Sequence, residues 1–198
     1  MGFIIFIIFL ALLLSLLLSK VKYGRVAEAV KIFRYITVAA SISIFIYWFV
    51  KKSTVSIAED ALSLQVINKL PQSLDFYVIG VGGKGDTQTI DTQHIGNIRP
   101  EYYRLESLKM THSDEYWVVG YLGKKNMVYF SQHYVPNKNI DQVLEVNNYI
   151  IQSEKLASQA KKQIEAYNFD NIQMGIWVTL DLLLIFINVV SLLKRNKA

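Results

Sequence analysis

Apolar positions fall into two regimes along the chain. Near the two ends lie long runs almost free of ionisable side chains, and between them apolar residues alternate with polar ones. The first run, Gly2 to Ser19, has 18 residues and no charge. As a helix it would cover about 27 Å, close to the roughly 30 Å of bilayer hydrocarbon. No Lys or Arg precedes its apolar core and no Ala-x-Ala site follows, so it reads as a spanning helix over residues 2–19 and not as a cleaved secretory signal. A second run, residues 35–50, is shorter at 16 residues, and it can start at Ile32 if Arg34 carries its guanidinium up to the headgroups. The third, residues 174–193, holds Asp181 as its only charge.

The middle segment, residues 53–173, predicts one small α+β domain. Ser56 and Glu59 have capping-box spacing, and Ile57, Ala61, Leu64 and Ile67 recur on one helical face up to Pro71, predicting a helix over 56–70. Short aromatic and β-branched runs then predict antiparallel strands near residues 75–81, 102–110, 116–122 and 127–134. Gly123 to Asn126 supplies a polar turn that makes the last two a hairpin. Both faces of the 116–122 run are apolar or aromatic, which predicts a central strand with a helix over one side. That covering helix is expected over residues 140–167, where Val143, Val146, Ile150, Ser153, Ala157, Ala160, Ile164 and Tyr167 recur at spacings of three and four. It would lead without Gly or Pro into the last spanning helix. Its apolar seam either packs on the domain's own sheet or, through residues 138–170, pairs with a second copy as a homo-oligomer.

Charge fixes an expected orientation. Residues 20–34 hold Lys20, Lys22, Arg25, Lys31 and Arg34, and the tail 194–198 holds Lys194, Arg195 and Lys197; the other side has only Lys51 and Lys52 near a helix end. Eight basic residues against two predict a multi-pass protein of a cell membrane, of the bacterial inner-membrane type, with the N-terminus outside and the first loop and C-terminus cytoplasmic. The middle domain is then extracytoplasmic. The net charge of +5 does not imply nucleic acid, because residues 53–173 carry 11 Lys or Arg against 14 Asp or Glu, a balance of −3. The positive excess lies at the membrane flanks, where lipid headgroups are the expected partner.

Chemistry-bearing motifs are few. Zero Cys excludes a disulfide scaffold, a thiolate metal site and a cysteine nucleophile. Gly80 to Gly85 matches the dinucleotide spacing G-x-G-x-x-G after a predicted strand, but the residues that follow lack helical character, so the β-α-β unit that gives the motif its mechanism is missing and no cofactor is expected. His94, His112 and His133 with Asp91 and Asp114 have no diagnostic metal spacing. No nucleophile motif appears, so the expectation is a non-enzymatic protein. Asp181 stands out, since a carboxylate near the bilayer centre costs roughly 2.5–3.5 kcal/mol and such groups face protein or water. Asn188 returns to its face seven residues on. The two predict intramembrane helix contacts, with another integral membrane subunit as the expected partner. Val143, Val146, Ile150 and Ile164 are the expected packing residues above them, and Tyr116, Trp117, Tyr121 and Tyr129 a possible binding surface. The functional expectation is an accessory or assembly subunit of a larger membrane complex. The alternatives are a proton-coupled component using Asp181, or an envelope sensor or immunity-type factor.

Overall fold

The structure is a computed structural model that describes residues 2–21, 25–54, 61–82, 89–109, 113–137 and 140–195, and the chain divides into a helical unit (Met1–Thr54 with Phe169–Ala198) and a β-rich unit (Val55–Asn168). The helical unit contains α1 (Gly2–Leu18), α2 (Arg25–Thr54) and the C-terminal part of α3 (Glu154–Arg195). Two of these, α2 and α3, are long and apolar enough to cross a membrane, whereas α1 is an apolar helix of 17 residues. The second helix begins well before residue 35, because the stretch Arg25 to Lys31 contains neither Gly nor Pro and continues the helix. On α1 the buried residues Ile5, Ile8, Leu12 and Ser15 follow helical spacing, so one stripe of the helix packs inward. Leu12 and Ile8 meet Val38 and Phe45 of α2 and Ile185 and Leu192 of α3.

The described residues of the β-rich unit form eight strands in two sheets plus the first turns of α3. A three-stranded sheet has the order β4 (Tyr103–Lys109), β1 (Ala61–Asn68), β7 (Gln142–Val146). A five-stranded sheet has the order β3 (Thr89–Ile98), β2 (Leu74–Gly82), β5 (Glu115–Leu122), β6 (Asn126–Tyr134), β8 (Ile150–Ile151). Alternation along the strands builds two cores. Phe76 and Val78 of β2, with Tyr116 and Val118 of β5, meet Leu62, Leu64 and Val66 of β1 between the sheets. Their neighbours Tyr77, Ile79, Trp117, Val119 and Tyr121 point the other way, onto Ala157, Ala160 and Ile164 of α3. The five-stranded sheet is therefore covered on both faces, and β5 is an interior strand as its apolar composition predicts. The hairpin turns at Gly123, whose φ of +68° a glycine takes without strain.

Three expectations are corrected. Residues 61–68 form a strand and not a helix. Leu62, Leu64 and Val66 are buried at a period of two, and this alternation prevails over the three-residue spacing of Ala61, Leu64 and Ile67. The proposed cap residues Ser56 and Glu59 lie outside the described residues. The helix expected over 140–167 starts only at Glu154; Val143 and Val146 lie on β7 and Ile150 on β8. Ser153, read as a seam position, is the cap, its Oγ accepting from the Leu156 amide at 3.4 Å while its carbonyl accepts from Ala157 at 2.8 Å. Finally, the strands are not all antiparallel, since β1 pairs with β7 and β6 with β8 in parallel. Such pairs need long connections, and both β7 and β8 lie far along the chain from their partners.

Candidate functional site

Polar side chains in the helical unit converge inside it. Arg34, Asp181, Asn188 and Ser15 are each fully buried. Asn188 donates through Nδ2 to the Leu12 carbonyl at 3.1 Å and to the Leu184 carbonyl at 2.9 Å, and its Oδ1 accepts from the Ser15 hydroxyl at 2.9 Å. One turn further, Arg34 Nη2 donates to the Ser191 hydroxyl at 3.0 Å. Both carboxyl oxygens of Asp181 are buried with no hydrogen-bond partner among the described residues. Asn188, expected to make intramembrane helix contacts, ties α3 to this chain's own α1 through Ser15 and Leu12. The burial of Arg34 was not foreseen. A signal existed in the spacing of Arg34, Val38, Ser41 and Phe45, which places the guanidinium on the packed stripe of α2.

The four aromatic residues read as a possible binding surface are core residues. Tyr116 and Tyr129 lie between the sheets, and Trp117 and Tyr121 lie under α3. Burial pushes the Tyr116 and Tyr121 hydroxyls up to about 12 and raises those of Tyr129 and Tyr77. Of the expected packing residues, Val146 is in the inter-sheet core and Ile164 in the helix-sheet core, while Val143 and Ile150 are exposed.

The histidines are separated. His94 Nε2 lies 2.7 Å from Asp75 Oδ1 and its ring stacks on Tyr77; His133 stacks on Tyr116 at a centroid distance of 5.0 Å and reaches the Ser131 hydroxyl at 2.8 Å. Burial lowers the His133 pKa below its ordinary value. His112 lies outside the described residues, and no group of three or more His, Asp or Glu placed to hold a metal occurs among those described. Gly80 and Gly82 belong to β2, whose neighbour β3 runs antiparallel, so this stretch is a pair of adjacent strands and not a β-α-β unit. Residues 83–85 of the glycine motif lie outside the described residues.

Among the described residues of the β-rich unit, none forms a layer over the outward face of the three-stranded sheet. Register places Tyr103 beside Ile67, and Gln65 between Leu105 and Val143, opposite in direction to the buried Leu62, Leu64 and Val66. Tyr103, Leu105 and Val143 are 61%, 63% and 62% exposed. At the β3–β4 end of the unit, Arg99, Tyr102 and Arg104 add a basic and aromatic rim. The sequence carried a signal for this face, the run Tyr102-Tyr103-Arg104-Leu105, but periodicity alone does not tell which side of a strand another layer covers. No family model, curated protein or solved structure matches the chain.

Proposed function

We propose that the chain is a non-enzymatic, multi-pass membrane subunit that crosses the bilayer with α1, α2 and the C-terminal part of α3 and presents its β-rich unit outside the cytoplasm for docking to a partner protein of the same complex. The membrane part of this reading rests on inverted polarity. Ile36, Ile46, Leu183 and Phe186 are exposed on the helices while Arg34, Ser15, Asp181 and Asn188 are buried, the arrangement a hydrocarbon solvent favours. At about 26 Å, α1 is slightly short for the bilayer, a mismatch that local thinning accommodates. The basic residues retain the orientation argued above.

The docking part rests on one observation, the row of Tyr103, Leu105 and Val143 on a sheet face with no described layer over it, where Tyr and aliphatic side chains provide the anchors typical of interface centres. Because Asp181 and Asn188 face this chain's own helices, the reading assigns partner contact to the β-rich unit and not to the spanning helices. Replacing Leu105 and Val143 together by Lys is expected to abolish copurification of partner proteins after gentle detergent extraction, with the chain itself still inserted. Unchanged copurification would refute the docking face.

A second reading has its own support in the carboxyl group of Asp181, buried with no hydrogen-bond partner among the described residues, since acids inside spanning helices mark proton relays. In that case proteoliposomes of the purified chain conduct protons and Asp181→Asn abolishes the flux without loss of insertion. Flux that is absent from the wild type, or equal in the variant, rejects it.

A further inference from the structure

The β3–β4 end of the β-rich unit holds a depression of about 540 Å³, a volume in the range of small-molecule sites, bordered by Ser73, Asn97, Arg99, Tyr102, Tyr103 and Arg104. No acidic side chain among the described residues lines it. The nearest carboxylate in sequence, Glu101, is held by Lys69 Nζ at 2.6 Å, so the charge that would neutralise the two guanidinium groups is committed elsewhere. A local positive site in a segment whose overall balance is −3 is a departure from its surroundings.

The loop that carries these groups is fixed from several directions. Asn68 is fully buried; its Nδ2 donates to the carbonyls of Gln72 at 2.8 Å and Ile98 at 2.9 Å, and its Oδ1 accepts from the Leu70 amide at 3.1 Å. Its backbone carbonyl accepts from the Glu101 amide at 2.7 Å, and its amide donates to the Tyr102 carbonyl at 3.0 Å. These bonds hold Glu101 at a φ of +64°, the one non-glycine residue with positive φ among those described. A strained non-glycine residue of this kind persists only where its surroundings over-determine it, and such residues cluster at functional sites. Arg104 is held as well. Its Nη1 donates to the Ile95 carbonyl at 2.6 Å, next to the irregularity in the β2–β3 register, and lies over Gly96, where a Cβ would stand 3.0 Å from Nη1. Gly96 has a φ of +95°, so the position requires glycine both for backbone conformation and for the approach of the guanidinium. No described residue holds the Arg99 guanidinium or the side chains of Ser73 and Asn97, which leaves their donors directed to a ligand or to water.

The geometry points to this depression as a binding site for an acidic sugar, with Arg99 and Arg104 taking a carboxylate or phosphate, Ser73 and Asn97 bonding ring hydroxyls, and Tyr102 and Tyr103 lying against the ring. Arginine is suited to the anionic group because its planar donors match two oxygens at once. The aromatic faces and neutral polar groups distinguish a sugar-borne anion from a bare one. The depression shares Tyr103 with the docking face, whose own test lies at Leu105 and Val143, outside the residues that line it.

The test is calorimetric titration of the full chain in detergent with glucuronate, glucose 6-phosphate, glucose and inorganic phosphate. Both acidic sugars are expected to bind at least tenfold more tightly than glucose and than inorganic phosphate. Arg99→Gln, which breaks no described contact, should weaken the acidic sugars by roughly tenfold or more, the usual size of a lost charge-assisted hydrogen bond. Lys124→Gln, in the β5–β6 turn and not among the residues that line the depression, should change nothing. Binding of acidic sugars no tighter than glucose overturns the proposal, as does an Arg99→Gln variant with wild-type affinity. Inorganic phosphate binding as tightly as glucose 6-phosphate overturns the assignment of a sugar. A loss equal in Arg99→Gln and Lys124→Gln shows nonspecific attraction and also overturns it.

Discussion

Two buried or partly buried polar residues of this chain are accommodated in different ways. Asn188 satisfies its amide within the helical unit by spanning from the Leu184 carbonyl on its own helix to Leu12 and Ser15 on α1. His133 is handled differently, by stacking on Tyr116 and bonding Ser131 in a partly buried place that disfavours the imidazolium. Its pKa in the folded chain lies below that of the unfolded chain, so on acidification the unfolded state takes up the proton first. Stability is therefore fully present above the unfolded value of about 6.5 and is lost as pH falls through the lower folded value. Thermal unfolding followed between pH 7.5 and 5 should show this loss, and His133→Asn should flatten that part of the profile. An identical slope in the variant would mean that other groups produce it. The identities of His133 and Tyr116 were plain in the sequence, but their stacking was not, because it depends on β5 and β6 pairing in the register that sets position 116 opposite 133.

At the scale of elements, the long third helix serves two environments with one periodic pattern. Its first turns bury Ala157, Ala160 and Ile164 on the five-stranded sheet, and small residues there let the helix approach Trp117 and Tyr121 closely. Ala160→Leu adds volume where the packing has none to spare and is expected to destabilise the chain by about 1–3 kcal/mol. The same change at the exposed Lys161 should be near neutral, and urea unfolding of the two variants compares them. The apolar face of this helix was legible from Ala157 onward and misleading before it. Val143, Val146 and Ile150 continue the three-and-four spacing by coincidence, yet each is β-branched and sits in a segment that pairs with a distant strand. Nothing in a local window reports that a parallel partner waits at residues 64–68, which is why strand β7 escaped a reading based on periodicity. The central strand β5 was legible for the opposite reason. Being covered on both faces, it needs apolar residues at every position, and that signature is local.

At the scale of the whole molecule, composition divides the chain as its contacts do, into an apolar helical unit and a mixed-polarity β-rich unit. The three apolar runs were visible at once because lipid-compatible segments are the strongest pattern a sequence carries. The site on the β-rich unit was not visible, because Tyr102, Tyr103, Arg99 and Arg104 take their meaning from the buried Asn68 and the strained Glu101 that fix them. The aromatic residues that composition favoured as a binding surface instead stabilise two cores.

Since the chain contains no cysteine, a single one introduced at a chosen position reports which side of the membrane it occupies. Lys124→Cys lies in the β5–β6 turn of the β-rich unit, and Lys194→Cys lies at the end of α3. With a membrane-impermeant maleimide applied to intact spheroplasts, the account predicts labelling at position 124 before lysis and at position 194 only after it. Labelling at 194 before lysis with 124 protected, or no difference between the two positions, would contradict an anchored chain that displays its β-rich unit outside the cytoplasm.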